Sequence, residues 1–339
     1  MDSRINCFNN KELELIIFPT EDCNFRCTYC YEDFSIGKMS SDTVENLKLL
    51  IKSRFPKLRI FRLSWFGGEP LLAKNIISSI YVFIENLIEE TGNKPFITSH
   101  FTTNLSLIEL PFLERVCSFG PTSLQVSLDG YKEVHDLTRK KFNGGSTFDI
   151  VWGNLLMIKD TSLNFSCSLR IHVTPENKDS TIILAREISK SFGSDNRFFP
   201  YAMKVGNWGG PNSKDISALS ESEYQSYAKL IVQQLRNFQD AEETTLPKLD
   251  DYICYASKPN SFVIRADGRV GKCTVHLSNE KNDVGFLDNK GSLNLNSDKM
   301  KLWLRGFNED SSINLTCPAS NLLNNKRLDE RLDVKVIEA

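Results

Sequence analysis

The sequence carries almost no net charge: 41 basic side chains stand against 43 acidic ones in 339 residues, a formal balance of −2. Without a field of one sign it cannot attract nucleic acid or an anionic membrane non-specifically, so neither partner is expected. No apolar run approaches a membrane span, and the start, Met1-Asp2-Ser3-Arg4-Ile5-Asn6, lacks the basic-then-apolar layout of a signal peptide. Both absences lead to the expectation of a cytoplasmic protein. Internal repeats and low-complexity tracts are missing too. What remains is a globular composition, 40% hydrophobic and 10% aromatic, long enough for one large α/β domain or a barrel with an appended module.

Against that background the nine cysteines are an anomaly. A reducing compartment disfavours disulfides and favours metal ligation or redox chemistry. Cys23, Cys27 and Cys30 form a tight CxxxCxxC group, Cys254, Cys273 and Cys317 are spread near the C-terminus, and Cys7, Cys117 and Cys167 stand alone. We read the last three as non-ligands, because Cys7 lies in the lead-in and the other two fall in apolar-periodic segments.

Residues 1–10 read as a flexible lead-in. Strands are expected at Leu13–Phe18, Ile60–Trp65, Phe96–Thr102, Ser123–Leu128, Cys167–Val173 and Phe198–Met203, where apolar residues run or alternate. Helical spacing falls between them, near 42–54, 75–90, 110–117, 148–159 and 180–192, with Asp42 and Glu45 resembling a capping box. Six strands alternating with helices imply a parallel sheet, open or curled into a partial barrel. Residues 206–250 read as a linker loop and helix, and the short alternating strands after residue 251, turned at Asp267-Gly268, as a second, smaller module. The fold class expected is α/β: a partial (β/α)6 barrel over residues 11–205 with a small C-terminal α+β module at 251–339.

Each expected barrel strand ends in polar or glycine-rich residues: the cysteine loop, Gly67-Gly68-Glu69-Pro70, Thr102-Thr103-Asn104, Ser127-Leu128-Asp129-Gly130, His172-Val173-Thr174 and Pro200-Tyr201. In parallel α/β folds ligands bind beyond the carboxyl ends of the strands, so these segments are expected to line one site. At this cysteine content a chance CxxxCxxC has an expectation of roughly 0.006 per chain. A structural zinc site closes its tetrahedron with four protein ligands, and only three thiolates are close together here. Three cysteines on one loop can hold three irons of a cubane cluster and leave the fourth open to a small molecule.

In this motif the sequence resembles the radical S-adenosylmethionine enzymes. Tyr29 sits at that family's aromatic position before the third cysteine. Gly67-Gly68-Glu69-Pro70 looks like its GGEP element, whose backbone and carboxylate receive the methionine ammonium of the cofactor. The stretch from Ser127 to Arg139 is similar to the SLDG...HDxxR signature of the peptide- and protein-modifying branch. Cys254 and Cys273 are spaced around Gly268 like the opening of a SPASM extension, which this chain follows only with Cys317. The resemblance implies a 4Fe-4S cluster on Cys23, Cys27 and Cys30 that binds S-adenosyl-L-methionine. Tyr29, Gly67, Gly68, Glu69, Pro70, Asn104, Ser127 and Arg139 would be cofactor contacts. One auxiliary 4Fe-4S cluster on Cys254, Cys273 and Cys317 would resemble shortened, twitch-like extensions; the alternative is that these three bind nothing.

The chemistry implied is a 5'-deoxyadenosyl radical abstracting hydrogen from a substrate carbon, with an oxidative outcome. The leading reading is maturation of a ribosomally made precursor peptide, by cross-linking a side chain; a sulfatase-maturase-like formation of formylglycine is the alternative, and a non-catalytic metal-binding protein the alternative of another class. A flavodoxin or ferredoxin reductant is implied. The short lead-in leaves no room for a fused leader-recognition domain, so leader binding could fall to a separate protein. Asp129 and Tyr201 are candidates for the proton acceptor, with no ground for choosing between them. Tyr201, Trp208 and Tyr255 are candidate walls of a substrate channel, and His276 is read as a non-ligand.

Overall fold

A computed structural model describes residues 7–207, 210–212, 216–235, 238 and 252–324. Trp208, part of the expected linker and the final residues lie outside them. The chain runs through β1 (Glu12–Ile17), β2 (Phe25–Cys27), α1 (Ser41–Arg54), β3 (Ile60–Trp65), α2 (Lys74–Thr91), β4 (Phe96–Thr102), α3 (Leu110–Cys117) and β5 (Thr122–Leu128). It continues with α4 (Glu133–Thr138), β6 (Arg139–Lys141), α5 (Phe148–Lys159), β7 (Phe165–Val173), α6 (Lys178–Phe192), β8 (Phe198–Lys204) and α7 (Glu221–Gln234). The last third holds β9 (Ser261–Ile264), β10 (Arg269–Gly271), β11 (Gly285–Leu287), β12 (Leu293–Leu295), α8 (Ser297–Asn308), α9 (Ser312–Thr316) and α10 (Pro318–Asn324).

Strands β1, β3, β4, β5, β7 and β8 pair in that order and all in parallel, which is the partial barrel expected. The alternation that marks them has a physical reading. On β3, Phe61, Leu63 and Trp65 are buried, while Ile60, Arg62 and Ser64 alternate with them on the other face. The helices pack on the buried face: α2 buries Ile76, Ile77, Ile80, Ile84 and Leu87. Residues 70–91 are long and apolar enough, by length and composition, to cross a membrane, yet this stripe belongs to the core.

The α1 cap differs from the expected one. Ser40 is the N-cap, its Oγ accepting the Thr43 N–H at 3.1 Å, and Asp42 lies inside the first turn, where a carboxylate favours the helix dipole. The only full capping box among the described helices joins Ser220 and Glu223 at the start of α7. Residues 7–10, read as lead-in, make a turn: Asn9 O accepts from Asn260 at 3.1 Å, and Phe8 meets Phe307 edge-on at 4.8 Å between centroids.

The C-terminal strands do not form a sheet of their own. β9 pairs in parallel with β1, from Glu14↔Ser261 to Ile17↔Ile264, and the antiparallel run β9-β10-β11-β12 extends the barrel sheet to ten strands. A bidentate ion pair fastens this extension to the barrel, Arg265 Nε donating to Glu21 Oε1 at 3.0 Å and Nη2 to Oε2. Glu21 is 1% exposed and Arg265 9%, so removing either partner strands a buried charge, at a cost of about 3–5 kcal/mol.

Candidate functional site

The inward face of the half-barrel is polar where such interiors are usually packed with branched apolar residues. Ser64, Thr98, His100, Thr102, Ser123, Gln125, Ser127, Ser166, Arg170 and His172 line a cavity of about 800 Å³. Short and polar side chains cannot fill that space, and the result is an open chamber instead of a core. Cys23, Cys27 and Cys30 stand in its wall with Tyr29, Gly67, Gly68, Asn104, Ser127 and Arg139, and Tyr255, from the C-terminal extension, lines it as well.

Two contacts that sequence reasoning missed hold the cysteine loop. β2 pairs antiparallel with β6, putting Cys27 opposite Arg139, and Thr28 N–H donates to Thr138 O at 3.0 Å. Asn212 then donates its side-chain amide to the carbonyls of Cys30 (3.2 Å) and Cys27 (3.5 Å). Neither three-residue strand has a readable period, and nothing near Asn212 in the sequence points to the cysteines. Burial, the negative charge of Glu69 and the neighbouring thiols push Cys23 up, and burial with Cys27 pushes Cys30 up to about 12. Such a trio ionises readily only against a strong positive charge, which iron supplies.

Among the described residues no three His, Cys, Asp or Glu side chains converge tightly enough to chelate a single ion. A structural zinc site takes four protein ligands, whereas three thiols on one loop suit three irons of a cubane, so the donor set fits a cluster better than it fits zinc. Cys23 Sγ also receives the Phe25 N–H at 3.3 Å and the Asn104 amide at 3.9 Å, donors of the kind that tune a cluster's sulfurs.

Gly67 and Gly68 are required by close packing. A Cβ on Gly67, at φ +108°, would meet Thr20 O at 2.2 Å, and one on Gly68 would meet Asp22 O at 2.4 Å. The Glu69 carboxylate, expected to receive an ammonium, is engaged by donors of the protein itself. It is fully buried and accepts from Leu71 N–H (3.0 Å), Thr103 Oγ1 (2.7 Å) and Asn104 N–H (2.7 Å). Burial raises its carboxyl despite these donors. Pro70 is buried at the start of a 3-10 turn. Of the four-residue element, the two glycines reach the chamber, and Glu69 braces the loop after β3 against the loop after β4.

Asp129 is likewise no surface base. It is fully buried, with Oδ2 accepting from Thr138 (2.8 Å) and Oδ1 3.2 Å from His172 Nδ1. Burial alone would raise its carboxyl, but His172, Arg139 and His135 outweigh that and hold it well below the usual range. The same network takes in Tyr29, whose hydroxyl lies 3.0 Å from His172 Nδ1 and accepts from Arg139 Nη1 at 2.8 Å. Tyr201 donates to Gln125 Oε1 at 3.1 Å, and burial pushes its phenol up, which disfavours it as a proton acceptor. Asp129 is thereby linked to the cysteine loop through His172 and Tyr29, and Tyr201 bonds to Gln125, which lines the chamber.

Cys254, Cys273 and Cys317, at the turn before Tyr255, after β10 and at the end of α9, lie near enough for their charges to act on one another. Cys254 N–H donates to Leu315 O at 2.9 Å, and buried Arg305 gathers the chain around Cys317 by donating to Pro318 O (2.7 Å) and Asn314 Oδ1 (3.1 Å). Burial and the charges of Cys273 and Cys317 push Cys254 up to about 12. Both cysteine groups act on Tyr31: burial raises its phenol, and Glu32, Cys30 and Cys273 add to the effect. Of the lone thiols, Cys167 is buried within β7 and Cys117 closes α3. Two acidic groups were missed altogether: Glu14 on β1 and Glu32 after the cysteine loop both line the chamber, each with one buried carboxylate oxygen lacking a partner.

A cysteine-bearing loop and its partners at the carboxyl end of a parallel half-barrel define a barrel enzyme with its site at the usual face. The chain belongs to the radical SAM superfamily, whose family model matches residues 17–188. It is 24% identical over 333 residues to a cysteine-type anaerobic sulfatase-maturating enzyme of Clostridium novyi (strain NT), covering 90% of this chain and 83% of that one. It is 26% identical over 267 residues to a GTP 3',8-cyclase of Campylobacter jejuni, 76% of each chain. The solved structure of anSMEcpe with bound AdoMet and the Cp18Cys peptide superposes with a TM-score of 0.60 at 20% identity, over 86% of this chain and 83% of that one.

Proposed function

We propose that this radical SAM enzyme oxidatively modifies a side chain of a ribosomally made peptide, with cross-linking as the leading outcome. The observation that carries the reading is the open polar chamber with three cysteines in its wall. Cys23, Cys27 and Cys30 would hold the 4Fe-4S cluster, and Tyr29, Gly67, Gly68, Asn104, Ser127 and Arg139 would bind S-adenosyl-L-methionine beside it. When bound, that pair supplies hydrogen abstraction from a substrate carbon. The barrel residues orient the substrate and keep water from it, which a reaction of that kind needs for selectivity. Cys254, Cys273 and Cys317 would hold an auxiliary 4Fe-4S cluster that takes up the electron left by an oxidative outcome. A cytoplasmic flavodoxin or ferredoxin would reduce the catalytic cluster.

Similarity to the sulfatase-maturating relative supports a peptide substrate and favours formylglycine formation as the second reading. Similarity to the cyclase is the counterweight, since its name specifies a nucleotide. The test is anaerobic incubation of reconstituted, reduced protein with S-adenosyl-L-methionine and the peptide encoded beside its gene, followed by mass spectrometry. Loss of two hydrogen atoms from the peptide supports cross-linking, and an aldehyde that reacts with a hydrazide supports formylglycine. Turnover of GTP with no change to any peptide sinks the proposal.

A further inference from the structure

Arg170 projects from β7 into the chamber. Its Nε donates to Ser127 Oγ at 3.0 Å, and the Tyr201 phenol lies near enough for its charge to act on it. Both groups are neutral. Among the described residues no carboxylate lies within ion-pairing distance of it, whereas Arg62 on the far wall is matched by Glu12 at 2.8 Å. The two acids with an unpartnered oxygen do not answer to it either: the charges that act on Glu32 are those of Glu21, Arg265 and Asp33, and Glu14 acts on Lys272 and Cys254; Asp129 is tied to His172.

Around Arg170 the floor consists of neutral hydrogen-bonding groups, His100 bonded to Ser123 at 2.8 Å and Gln125 bonded to Tyr201 at 3.1 Å. A guanidinium held in a half-enclosed cavity by neutral donors and acceptors keeps free N–H groups in the fork geometry that a carboxylate matches. We infer that Arg170 is a specificity-determining residue that receives a carboxylate of the substrate, an Asp or Glu side chain or a free C-terminus, on the floor of the barrel. The inference rests on reading the chamber as the substrate site. The cofactor also carries a carboxylate, so the two sources must be told apart.

The experiment is a ligand-observed NMR titration of the reconstituted, unreduced protein, saturated with S-adenosyl-L-methionine, using N-acetylglutamate amide and its neutral isostere N-acetylglutamine amide. We expect the acid to bind at least tenfold more tightly than the amide. Arg170→Gln should bring the two within twofold of each other by weakening the acid alone, and Arg170→Lys should keep part of the preference. Equal binding of both probes to wild type overturns the inference while leaving peptide oxidation intact. A preference that appears only when S-adenosyl-L-methionine is left out also overturns it, because Arg170 then serves the cofactor's carboxylate. If Arg170→Gln weakens both probes equally, the residue is structural and the inference fails.

Discussion

Replacing Glu69 by glutamine separates two roles that the same residue could play. The carboxylate accepts three hydrogen bonds out of reach of solvent, two of them from backbone N–H groups on different loops. An amide keeps one acceptor oxygen and turns an NH2 toward the other donors. The loss is one charge-assisted bond, about 1.5–3 kcal/mol, plus the cost of leaving a buried N–H unpaired, about 1–3 kcal/mol. Taking a central figure of about 3 kcal/mol, the folded-to-unfolded ratio falls by about two orders of magnitude and the midpoint of thermal unfolding by about 4 °C. Urea unfolding of the metal-free protein measures it, followed by tryptophan fluorescence, to which Trp65, fully buried two residues before Gly67, contributes. A shift in midpoint at unchanged slope is expected, with no cofactor present. If the variant unfolds within 1 kcal/mol of wild type and loses only cofactor binding, Glu69 is a ligand after all and the brace is wrong.

Three other outcomes are expected. Gly68→Ala forces a Cβ into Asp22 O and should weaken S-adenosyl-L-methionine binding at least tenfold by equilibrium dialysis, while Gly145→Ala, whose Cβ meets nothing nearer than 3.4 Å, should leave it unchanged. Cys273→Ala should lower the iron content without removing all of it, and a variant that keeps full iron counts against the auxiliary cluster. His135 and His172 are both pushed down to about 4, chiefly by burial, from an ordinary value near 6.5. The unfolded chain takes up those protons first, so stability is full above about pH 6.5 and drains as pH falls toward about 4, by about 1 kcal/mol per histidine at pH 5.5. Denaturant midpoints that stay flat between pH 7 and 5.5 would falsify this.

The barrel strands were legible because each is a run or alternation of apolar residues ended by glycine, proline or asparagine, and β4 and α3 fall at the expected residues. The CxxxCxxC group was legible because its spacing is improbable by chance. What the sequence could not show were pairings between distant segments. Cys27 opposite Arg139, Asn212 on the cysteine carbonyls and β9 beside β1 join residues more than a hundred positions apart with no local signature. The direction of a carboxylate was hidden for the same reason: Glu69 turns inward because Thr103 and Asn104 arrive from the next loop to meet it. Arg170 was overlooked within a strand pattern, and its chemistry emerged only with the absence of an ion-pair partner among the described residues.

The pairing of β9 with β1 sets an order of assembly. β1 is made before the other barrel strands, and its outer edge stays open until Ser261–Ile264 has been made. An open edge of the sequence ELELII is a template for pairing with another chain, and long-range parallel pairing is slow. The nascent barrel therefore passes through a stage in which its strand nearest the cysteine loop is a site for misassembly. Chains truncated before residue 261 are expected to aggregate even though all six barrel strands are present, so the C-terminal extension acts on folding yield before it acts in any chemistry.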